Sequence, residues 1–217
     1  MRTPSTSKRS GFTLVELAIV AVLLAICLAA LGLFESSNRK TLSQSAAVGS
    51  AQDRAHQALE RVLLELSGAS IATLVPDPTG ALGSDEIVFQ KSTGVTPAGD
   101  IVWSPRTRLA LTLEQGEVLD GVDNNHNGQS DERCLTVTYA LGTPDERTIT
   151  IAHRIPALFP KELANGTDDN GNGVVDEKGF NVQRVGNLLS VRLASQARGG
   201  AGKWVTWSEN SNLRLRN

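Results

Sequence analysis

The chain has 217 residues, enough for one domain with its own core plus a membrane segment. Hydrophobic residues make up 40% and charged residues 20%, a balance that excludes a wholly disordered chain. A net charge of −2 leaves no basic surplus for nucleic acid, and 4% aromatics leaves little for base stacking.

In chain order, residues 1–11 (MRTPSTSKRSG) are polar and carry Arg2, Lys8 and Arg9. Residues 17–34 then form an apolar run without charge. With residues 12–15 the run amounts to about 23 residues, about 34 Å as helix, which spans a bilayer. Basic residues precede it, and Glu35 and Arg39 follow it, which places the amino terminus in the cytoplasm and the remainder outside. A secretory signal peptide shares the basic start and the small residues Ala29, Ala30 and Gly32, but its apolar core is about 7–15 residues. A plain signal anchor shares the length. Neither accounts for Gly11 before the run, nor for Glu16 within it.

The string Lys8-Arg9-Ser10-Gly11-Phe12-Thr13-Leu14-Val15-Glu16 closely resembles the class III signal of type IV prepilins and type II secretion pseudopilins. The resemblance implies cleavage between Gly11 and Phe12 by a prepilin peptidase on the cytoplasmic side, then methylation of the new amino group of Phe12. The membrane anchor is retained. It also implies a single-pass inner-membrane protein with a periplasmic domain, whose partners are other pilin or pseudopilin subunits and an inner-membrane assembly platform. An intramembrane carboxylate is costly and usually pairs or marks function. The family implies that Glu16 of one subunit meets the Phe12 ammonium of the next. A glutamate snorkelling to the headgroups is the plain alternative.

Ala47, Ala51, Ala55, Leu59, Val62, Leu63 and Leu66 recur at three- and four-residue steps, so the helix is expected to continue to about Ser67. Gly68 is a suitable terminator, and Arg61 and Glu65 form a possible i,i+4 pair. This divides the chain into a cleaved leader (1–11), a transmembrane and assembly segment (12–34), an amphipathic continuation (35–68) and a β-rich domain (69–217). Strands are expected at 86–90, 101–103, 108–114, 134–140, 148–153, 188–194 and 203–207, with a short last one at 213–216. Alternation in Leu135/Val137/Tyr139, Ile149/Ile151 and Leu189/Val191/Leu193 suits antiparallel strands with one face on a core. The helix from Leu42 onward would cover that face. The expected fold is α+β, a long amino-terminal helix packed on an antiparallel sheet, the pilin-like architecture the resemblance implies. The size of the domain and its strand-rich end resemble the larger minor members, the J-type pseudopilins and W-type minor pilins. The expected function is therefore a structural subunit, with a membrane-anchored, calcium-dependent binding protein or enzyme outside any filament as the alternative.

Two segments repeat 45 residues apart: DGVDNNHNGQSDE at 120–132 and NGTDDNGNGVVDE at 165–177. Asp123, Asn125 and Asn127, and again Asp168, Asn170 and Asn172, alternate as calcium-loop positions 1, 3 and 5 do. Gly128 and Gly173 fall at the turn, and Gln129 and Val174 at the carbonyl-donating seventh position. An EF-hand needs a bidentate glutamate at position 12, where Cys134 and Gly179 stand instead. The acidic residues come earlier, as Asp131/Glu132 and Asp176/Glu177, and the loops look like the DGxDNDxDGxxDE loops of extracellular bacterial proteins. Asp131 and Asp176 would be side-chain ligands, with Glu132 and Glu177 closing the shell or binding backbone. Asn in place of Asp lowers the charge, so calcium affinity is expected on the order of 10⁻⁴–10⁻³ M. An Asn-Gly-rich turn that needs no metal is the alternative.

No HExxH, GxSxG or paired-cysteine motif is present, and GGAGKW at 199–204 departs from a phosphate loop. His56, His126 and His153 are dispersed, so no catalytic set is expected. Cys27 and Cys134 lie far apart, one in the apolar run and one in a strand, which argues against a disulfide between them.

Overall fold

The computed structural model describes residues 13–215, so the leader, Gly11 and Phe12 lie outside the described residues. The chain divides into two compact units, Met1–Ser43 and Gln44–Asn217.

In the first unit, α1 (Leu14–Leu66) begins and runs without a break through the apolar segment. Its large apolar side chains are all exposed within the chain, from Leu14 to Phe34, and Leu42 is exposed as well. The helix is long and apolar enough here to cross a membrane.

In the second unit the same helix changes character. Ala47, Ala51, Ala55, Ala58, Leu59, Val62 and Leu66 are buried along one stripe. Coverage of the sheet therefore starts at Ala47 and not at Leu42. The helix stops where expected. Gly68 takes φ +85°, a left-handed conformation that costs a glycine little, and the Ser67 N–H closes on the Leu63 carbonyl at 2.8 Å.

Among the described residues nine strands follow: β1 (Glu86–Phe89), β2 (Ser92–Val95), β3 (Ile101–Trp103), β4 (Thr107–Leu113), β5 (Arg133–Tyr139), β6 (Arg147–Ile155), β7 (Phe180–Val185), β8 (Leu188–Arg198) and β9 (Trp204–Arg214). They form an antiparallel sheet in the order β1-β4-β5-β6, a second in the order β7-β8-β9, and a β2–β3 hairpin. One core joins the helix to both larger sheets. Leu59, Val62 and Leu66 share it with Phe89, Leu109, Leu135 and Val137 of the first sheet, and with Phe180, Val182, Leu189, Val191 and Leu193 of the second. A smaller cluster packs Ala47 and Ala51 on Ala197, with Val205 and Trp207 beside it.

The expected strands are present, and two more accompany them, β2 and β7. The separate strands expected at 203–207 and 213–216 are parts of one, β9, which pairs with β8 from Arg198↔Trp204 to Leu188↔Arg214. GGAGKW is the turn between them, with a short 3-10 segment at Gly200–Gly202. Both cysteines are free, Cys27 exposed and Cys134 buried in β5, where burial pushes its thiol pKa up.

Candidate functional site

Two places carry candidate functional residues, one in each unit. At the start of α1, Thr13 and Glu16 form a capping box. Both the Thr13 N–H (2.8 Å) and the Thr13 hydroxyl (3.0 Å) donate to Glu16 Oε2, and the Glu16 N–H reaches Thr13 Oγ1 at 3.3 Å. Thr13 lies outside the expected functional set, although T-L-V-E has the S/T-x-x-E form of that motif. Before any partner is considered, Glu16 already satisfies donors at its own helix start.

The repeated loops lie in the second unit. The first joins β4 to β5 and the second joins β6 to β7. Their necks close alike: the Glu114 N–H donates to the Glu132 carbonyl at 3.0 Å, and the Phe159 N–H to the Glu177 carbonyl at 2.9 Å. Inside, the same bonds recur 45 residues apart. Asp131 Oδ1 accepts the N–H groups of Asp120 (3.0 Å) and Gly121 (3.1 Å). Asp176 Oδ1 accepts those of Asn165 (3.0 Å) and Gly166 (3.0 Å). Asp123 takes the N–H groups of Asn127 (3.1 Å) and Gly128 (2.8 Å). Asp168 takes those of Asn172 (3.1 Å) and Gly173 (2.7 Å), and the Gly173 N–H leads in holding its pKa below the usual aspartate value. Asn125 and Asn170 accept the N–H two residues on at 3.0 and 3.1 Å, and Asn127 and Asn172 do the same at 3.1 and 2.9 Å. Asp131 and Asp176 sit at φ +53° and +48°, the αL region that aspartate tolerates better than most residues.

The structure adds two residues outside the expected ligand set, Glu117 and Glu162. Both are buried. Glu117 accepts the N–H groups of Asn125 (2.8 Å) and Asp131 (3.1 Å), and Glu162 accepts that of Asn170 (3.0 Å). They stand at the same 45-residue offset, so extending the repeat three positions upstream would have found them.

Glu132 and Glu177 are the loops' innermost carboxylates, each only 1% exposed. Glu132 Oε1 accepts from Asn125 Nδ2 at 2.8 Å and from Asn127 Nδ2. Glu177 Oε2 accepts from Asn172 Nδ2 at 2.9 Å, and burial raises its pKa. Among the described residues the second oxygen of each has no partner, and neither has Glu162 Oε2. A buried carboxylate oxygen without a donor is costly, so these atoms are where a cation fits the donor set. Among the described residues no three His, Cys, Asp or Glu side chains converge as a metal group. Further oxygens would have to come from amide side chains and backbone carbonyls. Gln129 Nε2 reaches Gln196 Oε1 at 2.6 Å, while its own Oε1 is buried without a partner among the described residues and stays available; Val174, buried and apolar, has only its backbone carbonyl to offer.

The histidines form no joint site. His56 pairs with Glu60 and Glu209 at 3.3 Å, His126 Nδ1 lies 3.1 Å from the Asp123 carbonyl, and His153 meets Glu114 at 2.7 Å.

Comparison with known proteins gives one match. The family model described as the prokaryotic N-terminal methylation motif matches residues 6–32. The match supports a type IV pilin-like or pseudopilin-like protein, and the motif implies processing by a prepilin peptidase and assembly with other pilins. With the apolar helix it supports anchoring in a membrane. No curated protein and no solved structure matches the chain.

Proposed function

We propose that the chain is a minor pilin or pseudopilin, a non-catalytic subunit that works in assembly or initiation of a type IV pilus or a type II secretion pseudopilus. The observation that carries this reading is the methylation motif opening directly into a helix whose apolar side chains, from Leu14 to Phe34, are exposed among the described residues. Lipid covers such a surface before assembly, and neighbouring helices cover it afterwards. The size of the domain, as large as the bigger minor members that the sequence resembles, supports a minor role over a major one.

In this reading the Gly11–Phe12 bond is cut, Phe12 is methylated and the domain faces the periplasm. Glu16 then exchanges its contact with Thr13 for the Phe12 ammonium of an adjacent subunit. Mass spectrometry of the mature amino terminus tests the class. Methylated Phe12 is the expected result; an intact Met1, or cleavage near Ala30, overturns the reading. The pairing has its own test. Glu16→Val is expected to leave the protein inserted but to impair assembly, whereas Thr13→Val removes the capping hydroxyl, keeps the carboxylate and is expected to assemble.

A further inference from the structure

We infer that each repeated loop is a divalent-cation site of calcium type, closed by a buried glutamate (Glu132 in the first, Glu177 in the second), and that the first loop binds more tightly than the second. This does not rest on the filament reading.

Residues 117–132 hold five carboxylates (Glu117, Asp120, Asp123, Asp131, Glu132) and no lysine or arginine. Residues 162–177 also hold five (Glu162, Asp168, Asp169, Asp176, Glu177), again without a basic residue. A surface turn can carry such charge in water, but Glu132 and Glu177 are out of water. Burial of a carboxylate calls for a counter-charge as well as hydrogen bonds. Among the described residues Glu132 Oε2, Glu177 Oε1 and Glu162 Oε2 have no hydrogen-bond partner, so unmet demand falls on the same closing carboxylate in both loops.

The donors around them are hard oxygens. Asn125, Asn127, Asn170 and Asn172 each spend one lone pair of the side-chain oxygen on a backbone N–H and keep the other. Calcium accepts six to eight such oxygens in flexible geometry and takes carboxylate, amide, carbonyl and water together. Magnesium requires a near-octahedral shell and gives up water reluctantly, which suits an amide-rich loop less well. The ion would tie the loop to its exit, because Glu132 directly precedes β5 and Glu177 stands shortly before β7.

The inequality comes from what lies outside the loops. Arg192 of β8 places Nη1 3.8 Å from Glu177 Oε2, a positive charge that already offsets part of the buried carboxylate. Among the described residues no Lys, Arg or His comes within 4.0 Å of a Glu117 or Glu132 carboxylate oxygen. Arg198 lies beside Gly128 without such a pairing. A fixed cation at the second loop competes with an added one, and the first loop has no equivalent competitor at its glutamate.

The test is calorimetric titration of the full chain in detergent with calcium chloride, with melting measured in EDTA, calcium and magnesium. Two calcium ions per chain are expected, with dissociation constants on the order of 10⁻⁴–10⁻³ M, and a higher melting temperature in calcium than in magnesium. Glu132→Gln should remove the tighter site and Glu177→Gln the weaker one, while Glu132→Gln melts in EDTA no lower than the parent because a buried charge without a counter-ion has gone. If Glu132→Gln does not fold, Asn127→Ser serves as the second variant and should weaken the tighter site alone. Arg192→Gln should tighten the second site several-fold. No binding and no change in melting up to about 10 mM calcium overturns the cation sites in favour of metal-free turns. Glutamine variants that keep both sites overturn the donor assignment. Equal sites, or loss of the weaker one in Glu132→Gln, overturn the inequality.

Discussion

The two halves of α1 are made of similar residues and put to opposite uses. In the first half, Leu24 is 60% exposed; in the second, Leu66 is fully buried. Both halves read as apolar helix, yet the first half is apolar all round, whereas the second buries one stripe, Ala47 to Leu66, and leaves Leu64 exposed off it. A helix that is apolar on every side describes surroundings, whether lipid or packed helices. A helix with one stripe describes a single partner within the chain. The difference shows which interactions are encoded locally and which need another molecule.

The same truncation in each half gives the largest expected contrast. Leu66→Ala opens a cavity against the core and is expected to cost about 2–5 kcal/mol. Leu24→Ala should leave denaturation of the 44–217 unit unchanged, since Leu24 belongs to the other unit and to neither core cluster. Urea unfolding in detergent, followed by tryptophan fluorescence, checks both. A matching loss in Leu24→Ala would break the comparison.

Carboxylates give the next contrast. Glu65 is buried on the stripe and accepts from Tyr139 Oη at 2.6 Å, pairs with Arg61 at 2.7 Å and lies 3.7 Å from Lys91. The i,i+4 pair expected from sequence is thus one arm of a junction from helix to sheet. Glu65→Ala removes the acceptor of the Tyr139 hydroxyl, leaving it only the bond it accepts from Arg61 Nη2 at 3.1 Å, and is expected to cost about 1–3 kcal/mol. Glu35 pairs with Arg39 at 2.5 Å, but both side chains are mostly exposed, so Glu35→Ala is expected to change stability by less than about 0.5 kcal/mol. Thermal melting of the two variants side by side is the measurement.

These contrasts also show what the sequence could disclose. The 14–66 helix was legible because a long uncharged apolar run opens it, its alanine and leucine positions then keep one period from Ala47 to Leu66, and Gly68 marks its end. The point where coverage begins was less so: Leu42 is apolar, but at about 100° per residue it falls on the face opposite Ala51, and it is exposed. β2 (STGV) is exposed throughout and carries little pattern. β7 has the pattern, with Phe180 and Val182 alternating inward, but it follows the second acidic loop so closely that it reads as the loop's tail. There Gly179 is required by packing, since a Cβ would collide with the Pro156 carbonyl oxygen. In β9 the polar stretch Ser208 to Asn212 hides a strand held by backbone pairing to β8, which side-chain alternation does not report. In the loops, the ligand-type spacing was visible and the burial was not. Burial is a property of what packs over the loop, so Glu117 and Glu162 emerge from the fold and from the repeat's full length, not from a calcium-loop template.

The smallest expected effect concerns pH and belongs to the second unit. Arg184 of β7 grips Asp77 with two parallel bonds, Nε to Oδ1 at 2.7 Å and Nη2 to Oδ2 at 2.6 Å. The guanidinium holds the Asp77 pKa below the ordinary aspartate value. A carboxyl with a lower pKa in the folded state than in the unfolded state stabilises the fold fully above its unfolded value, about 3.9, and loses that contribution as pH falls through the folded value. Melting should therefore decline in the acid range partly through Asp77, and Asp77→Asn should flatten that decline slightly. Because Asp77 is half exposed, water and salt screen the pair, and the flattening should shrink further in high salt. An unchanged acid slope in Asp77→Asn at low salt would show that the grip orders the 77–78 turn against β7 without adding to stability.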